Sequence, residues 1–223
     1  MPPSRLRILI TGGPTFEDLD PVRFLGNRSS GRMGLALAAA ALRAGHETRL
    51  ILGPTSLEPP AGALIVNIRS AADMTRAVLA NLAWADALVM AAAVADYTPA
   101  SYSREKLKKN AGELVLRLKR TEDILLRLGG LPERRGKFLA GFSLDAGLNL
   151  EEGRRKLEEK NLDLVAVNSA EALGAGRSRA WLLSRGGETD CGVLEKAELA
   201  RLIIEQAGVF FASGRRGTAI CPT

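Results

Sequence analysis

Strand-length apolar runs alternate with helix-length amphipathic stretches along almost the whole chain, and this alternation restricts the fold more than any other feature. "RLRILITG" reads as a first strand ending at Gly12. "MGLALAAAALRAG" carries apolar residues at helical spacing and stops at Gly45, since glycine accepts the left-handed backbone that ends helices. "ETRLILG" and "ALIVNI" read as further strands. Ser70 and Asp73 have the spacing of a capping box before "MTRAVLANLAWA". "ALVMAAAVA" is a nearly unbroken apolar run, the pattern of a strand covered by helices on both faces. "KFLAGF" and "LDLVAVNS" follow as strands around a helix from Asn149 to Lys160, where Asn149 and Glu152 repeat the capping-box spacing. Successive βαβ units predict an α/β domain with an open, largely parallel sheet.

Two segments break this rhythm. Between Asp96 and Arg120 a polar excursion ends in the alternating "ELVLRLK", read as an edge strand or hairpin arm. After Asn168 come a loop and two short strands around Gly186-Gly187, a small antiparallel extension. A last helix, "EKAELARLIIEQAG", closes the domain, expected to be residues 1–208. Residues 209–223 lack periodicity and are expected to be a flexible tail with a locally anchoring Phe pair. The connection from Gly12 to Arg32 runs to about twenty residues, a length unusual without a function. In such sheets ligands collect beyond the carboxyl ends of the strands, where Gly12, the Ala91–Asp96 turn, Phe142 and Asn168 are all expected.

With 223 residues the chain fits one large domain or two small ones. A net charge of +6 favours anionic partners. The arginines are scattered and aromatics make up only 4%, so nucleic acid is not an expected partner. Two cysteines, Cys191 and Cys221, and one histidine, His46, argue against a disulfide framework, a zinc site or a histidine triad. His46 is expected to be exposed in a helix-to-strand turn. No secretion signal and no spanning run of about 18 apolar residues is found, so no membrane partner and a cytoplasmic location are expected.

"TGGPTFEDLDP" has Gly12 and Gly13 but not the spaced glycine triplet of dinucleotide-binding dehydrogenases, and a Walker A motif is absent. In "FLGNRSSGRMG", Ser29, Ser30, Gly31 and Gly34 lead into a helix. They form either a capped helix start or an anion cradle of amides and hydroxyls. Lys106, Lys108 and Lys109 form either a solvated face or a flap that neutralises phosphates. Asp96 and Asp145 are turn caps or ligands for a cation, sugar or base.

The motifs "DPVRFLGNRSSGRMG", "AAAVADY", "EKLKKN", "GFSLDA" and "KNLDLVAVN", from about Ile8 to Gln206, resemble phosphopantothenate–cysteine ligase. This is the CoaB domain of coenzyme A biosynthesis, within the C-terminal family of DNA/pantothenate metabolism flavoproteins. The resemblance implies a Rossmann-like three-layer domain with a flap. It also implies activation of 4'-phosphopantothenate by CTP or ATP with Mg2+, CTP being favoured. An acyl-nucleotide forms, and L-cysteine converts it to 4'-phosphopantothenoylcysteine. Asn27 and Lys106 are the implied catalytic residues. Gly12, Gly13, Arg23, Ser29, Ser30, Gly31, Met33, Gly34, Ala92, Ala93, Val94, Asp96, Lys108, Lys109, Phe142 and Asn168 are the implied binding residues. Mg2+ is expected mainly on the nucleotide phosphates, with Asp96 a further ligand. No FMN is expected, because the decarboxylase half of bacterial relatives is missing, and a homodimer is implied.

The chain departs from the family pattern at Pro14, at Ser143-Leu144-Asp145-Ala146, at Arg120–Ile124 and at Ser169, Leu173 and Gly176. The alternatives are an NAD(P)-dependent reductase on the same fold and a non-catalytic nucleotide-binding homologue. Chemistry that sets a carboxylate against a polyphosphate needs cations and amides rather than a nucleophilic side chain, which suits a chain poor in His and Cys.

Overall fold

Strand β1 (Arg7–Gly12) shows how the sheet is built: Ile8 and Ile10 enter one core, while Leu9 between them enters another. That period-2 division requires helices on both faces. The computed structural model describes residues 5–109, 112–145, 148–169 and 176–213. After β1 come β2 (Phe16–Asp18), β3 (Phe24–Gly26), α1 (Arg32–Arg43), β4 (Glu47–Leu52) and β5 (Leu64–Asn67). Next are α2 (Ala71–Leu82), β6 (Ala87–Met90), β7 (Tyr97–Pro99), β8 (Leu118–Arg120) and α3 (Ile124–Gly130). The chain continues through β9 (Phe138–Asp145), α4 (Leu150–Glu159), β10 (Leu164–Ser169), β11 (Arg177–Ser184), β12 (Gly187–Glu195) and α5 (Lys196–Ala212).

The main sheet runs β12-β11-β10-β9-β6-β1-β4-β5. Its six strands from β5 to β10 are parallel, and β11 and β12 add an antiparallel edge. Helices α1 and α5 cover one face, and α2, α3 and α4 the other. This is the Rossmann-like three-layer α/β architecture, with the strand order reversing between β1 and β6, where such folds form their ligand crevice.

Local sequence chemistry explains the helix starts. Ser70 and Asp73 form the full capping box of α2, and the Asn149 side chain accepts the Glu152 N–H at the start of α4. Buried Glu17 reaches across to accept the Ala71 N–H at 2.7 Å, a further cap for α2.

Five sequence expectations need correction. The long first connection carries its own hairpin, β2–β3, stiffened by stacking of Phe16 on Phe24 at 3.8 Å. In "ELVLRLK" only the end pairs, as β8 against β7, and Leu114 and Val115 stay exposed because no second layer covers them. Helix α3, capped by Asp123, was not expected. Helix α5 runs four residues beyond the expected boundary at 208, because Phe210 and Phe211 pack on the core and Phe210 meets Phe138 at 5.5 Å. His46 is half-buried, its Nδ1 accepting the Leu6 N–H at 3.3 Å. Leu173 and the tail from 214 lie outside the described residues, as do the side chains of Asp145 and Ser169.

Candidate ligand cleft

The cleft begins with a close backbone approach. A Cβ on Gly34 would stand 2.5 Å from the Gly12 Cα, so only glycine lets the start of α1 rest on the end of β1. Gly31 enters the helix with φ 78°, a left-handed conformation suited to glycine. These two glycines aim the first amides of α1 at the space beyond β1, where a helix N-terminus favours an anion.

The turn after β6 forms the facing wall and is strapped to the first loop. Ala93 N–H donates to the Gly13 carbonyl at 2.9 Å, and Ala95 N–H donates to Thr15 Oγ1 at 3.0 Å. Thr121 Oγ1 donates to the Ala95 carbonyl at 2.6 Å, binding the segment before α3 to the same turn. Asn27 Nδ2 donates to the Val94 carbonyl at 2.9 Å. The wall is therefore fixed from three directions before any ligand arrives.

Between these walls lies a cleft of about 780 Å³. Ser29, Ser30 and Gly31 line one end, the Ala91–Tyr97 turn another, and Phe142, Asn168 and Ser178 the far side. Arg32, Arg120, Lys156, Lys160 and Lys196 outnumber the carboxylates Asp96, Glu122 and Asp123 in the lining, leaving it net cationic. Lys156 Nζ donates to the buried Ser143 Oγ at 3.2 Å, and Lys160 pairs with Asp123 at 2.7 Å. Burial, with the Arg32 charge nearby, lowers the pKa of Lys196, so a bound anion would favour its charged form. Asn168 Oδ1 is buried with no hydrogen-bond partner among the described residues, an acceptor suited to a ligand N–H or O–H.

Of the sequence-derived candidates, Ser29, Ser30, Gly31, Met33, Ala92, Ala93, Val94, Asp96, Phe142 and Asn168 line the cleft. Asn27 stands at its rim through Val94. Gly12, Gly13 and Gly34 shape the backbone behind it. Arg23 turns away to Asp20 and the Leu107 carbonyl. Lys106, Lys108 and Lys109 are exposed and outside the lining. Sequence reasoning missed Arg32, Arg120, Lys156, Lys160, Ser178 and Lys196. A signal existed for two of them: Lys156 and Lys160 are four apart, on one side of the capped helix that ends there.

Residues 4–209 match the family described as DNA/pantothenate metabolism flavoprotein C-terminal domain. The chain belongs to that family. It is 40% identical over 206 residues to a cysteine/cysteine sulfinic acid decarboxylase of an unidentified prokaryote, covering 90% of this chain and 57% of that protein. It is 45% identical over 170 residues to the coenzyme A biosynthesis bifunctional protein CoaBC of Bacillus subtilis (strain 168), covering 76% of this chain and 41% of that protein. The chain thus spans about half the length of the curated relatives it matches. A crystal structure of the C-terminal domain of CoaBC superimposes with a TM-score of 0.80 at 34% identity, covering 94% of this chain and 98% of that one.

These findings correct the activity expected from the sequence. The family is described as a flavoprotein domain, the first of these relatives is named a decarboxylase, and none of these descriptions names a ligase or a use of CTP. The phosphopantothenate–cysteine ligase assignment is therefore carried no further. With it go CTP or ATP, Mg2+, the pair 4'-phosphopantothenate and L-cysteine, and the homodimer. Lys106, on which that mechanism leaned, stands exposed outside the lining. Among the described residues no three His, Cys, Asp or Glu side chains gather to hold a metal ion.

The flavoprotein description also overturns the expectation that no FMN is involved. In this chain the serines and amides before α1 suit the phosphate of FMN. Elsewhere the lining mixes apolar side chains, among them Met90, Val94, Leu125, Leu126 and Phe142, with five cations and the carboxylates Asp96, Glu122 and Asp123.

Proposed function

We propose that the cleft binds 4'-phosphopantothenoylcysteine, and that this chain is the ligand-holding part of a coenzyme A biosynthetic system. The observation that carries the reading is one cleft with two chemistries. An anion cradle lies at Ser29–Arg32, and an unpartnered amide acceptor, Asn168 Oδ1, lies in the same lining. The proposed ligand has a phosphate for the first and amide N–H groups for the second. Its cysteine carboxylate would find Lys156, Lys160 or Lys196. The coenzyme A biosynthesis named for the CoaBC relatives supports the choice of ligand.

The chain's residues bind and orient in this reading. The α1 amides and both serines hold the phosphate, and the strapped Ala91–Tyr97 turn forms a rigid wall along the arm. The cationic side fixes the carboxylate. Decarboxylation, named for one relative, is an activity of a longer protein of which the match covers 57%, and its presence here is a question for experiment. No described helix is long and apolar enough to cross a membrane, and we place the protein in the cytoplasm with its proposed metabolite.

Calorimetric titration with 4'-phosphopantothenoylcysteine tests the reading, with CO2 release followed with and without added FMN. Saturable binding at one site supports it, and absence of binding overturns it. Amide formation from 4'-phosphopantothenate, L-cysteine and CTP would show a ligase instead.

A further inference from the structure

The lysine segment and the rim of the cleft share one base, the β2–β3 hairpin. Asp20, between those strands, is 1% exposed. Its Oδ1 accepts the backbone N–H groups of Val22 and Arg23, both at 2.8 Å. Its Oδ2 accepts Arg23 Nε at 3.0 Å and the Leu107 N–H at 3.0 Å. The Arg23 guanidinium also donates to the Leu107 carbonyl, so both backbone polar groups of Leu107 are taken. Ser103 N–H adds a bond to the Leu19 carbonyl at 2.9 Å. Past β3 the chain leads directly to Asn27, which holds the Val94 carbonyl at the cleft.

We propose that Asp20 is a positioning residue. Its buried carboxylate fixes the backbone between Lys106 and Lys108 to the hairpin, and so sets where those ammonium groups stand relative to the rim. The clamp acts on the segment beside the cleft, independently of which ligand the cleft takes. A carboxylate is needed because both oxygens accept. Asparagine offers only one acceptor oxygen. If Asp20→Asn keeps the two turn amides, its NH2 faces the Leu107 N–H and Arg23 Nε, donor against donor. That variant releases Leu107 while preserving the hairpin turn.

Limited trypsin digestion in native buffer, mapped by mass spectrometry, tests the clamp. Cleavage after Lys106 and Lys108 should accelerate about tenfold in Asp20→Asn, because loss of charge-assisted bonds increases local opening. Cleavage at Arg43 and Arg201, within α1 and α5, should not change. Arg23→Gln, which leaves the Asp20–Leu107 bond, should accelerate the two cuts by a smaller factor, and it carries the test if Asp20→Asn does not fold. Unchanged cleavage after Lys106 and Lys108 overturns the proposal, as does uniform acceleration at every site. The digestion needs no ligand, so failure of the wild type to bind 4'-phosphopantothenoylcysteine would overturn the proposed function and leave this readout intact.

Discussion

Asn27 donates to the Val94 carbonyl at 2.9 Å, joining the end of β3 to the turn after β6 across 67 residues of sequence. The bond connects the two loops that face each other over the switch point of the sheet. Asn27 is exposed, so the bond shapes the rim more than it holds the fold. Asn27→Asp replaces the donor with an acceptor facing a carbonyl, and sets a negative charge where an anion is to bind. Affinity for 4'-phosphopantothenoylcysteine should fall about tenfold or more, while stability drops by about 1 kcal/mol or less. Calorimetry and thermal melting check the pair of outcomes.

Two glycines should respond in opposite directions to alanine. Gly34→Ala puts a methyl 2.5 Å from the Gly12 Cα, with backbone that cannot step aside. It should cost about 1–3 kcal/mol in urea denaturation, as overpacking does. Gly208 lies within α5 with open space around a Cβ. Gly208→Ala should stabilise by about 0.5–1 kcal/mol, the ordinary helix preference.

Asp20 gives an acid signature. Burial raises its pKa, but the N–H groups of Val22, Leu107 and Arg23 and the Arg23 charge outweigh that and hold it at about 2. A folded pKa below the unfolded value, about 3.9, means stability present above that value and lost as pH falls through the folded one. The stability advantage of wild type over Asp20→Asn should be level above about pH 5 and shrink from about pH 4 towards pH 2. Urea midpoints measured across that range check it. A difference independent of pH would show that the carboxylate charge is not what holds the hairpin.

Lys156 lies in the cleft lining with its Nζ donating to Ser143 Oγ, and its ion contact with Glu152 is a looser 3.7 Å. Lys156→Met removes a cation facing the proposed carboxylate and keeps the aliphatic stem. Affinity should fall about five- to tenfold, with the loss smaller at high salt because charge attraction is screened. Titrations at two ionic strengths measure both effects.

The fold was legible because its signals are local. The apolar run Ala87–Met90 and the Ser70–Asp73 capping box each declare one element without reference to distant residues. The cleft was less legible because it depends on which loops meet. The glycines and serines before α1 announce an anion cradle in the sequence itself. Nothing in "EKLKKN" says that Asp20 will hold Leu107 across 87 residues and that the lysines will stand outside the lining. Lys196 and Arg120 were missed for the same reason, since each enters the lining from a different strand end or helix start. The hairpin β2–β3 was hidden by its two three-residue strands, too short to show alternation. Activity was the least legible part, because motif resemblance carried an entire reaction with it.

Backbone amide chemical shifts, followed by NMR during titration with 4'-phosphopantothenoylcysteine, test the central claim most directly. The account predicts saturable shifts concentrated at Ser29–Met33, Ala91–Tyr97 and Asn168. Shifts absent at saturating ligand, or gathered at the opposite end of the sheet around Glu47 and Asp86, would contradict it.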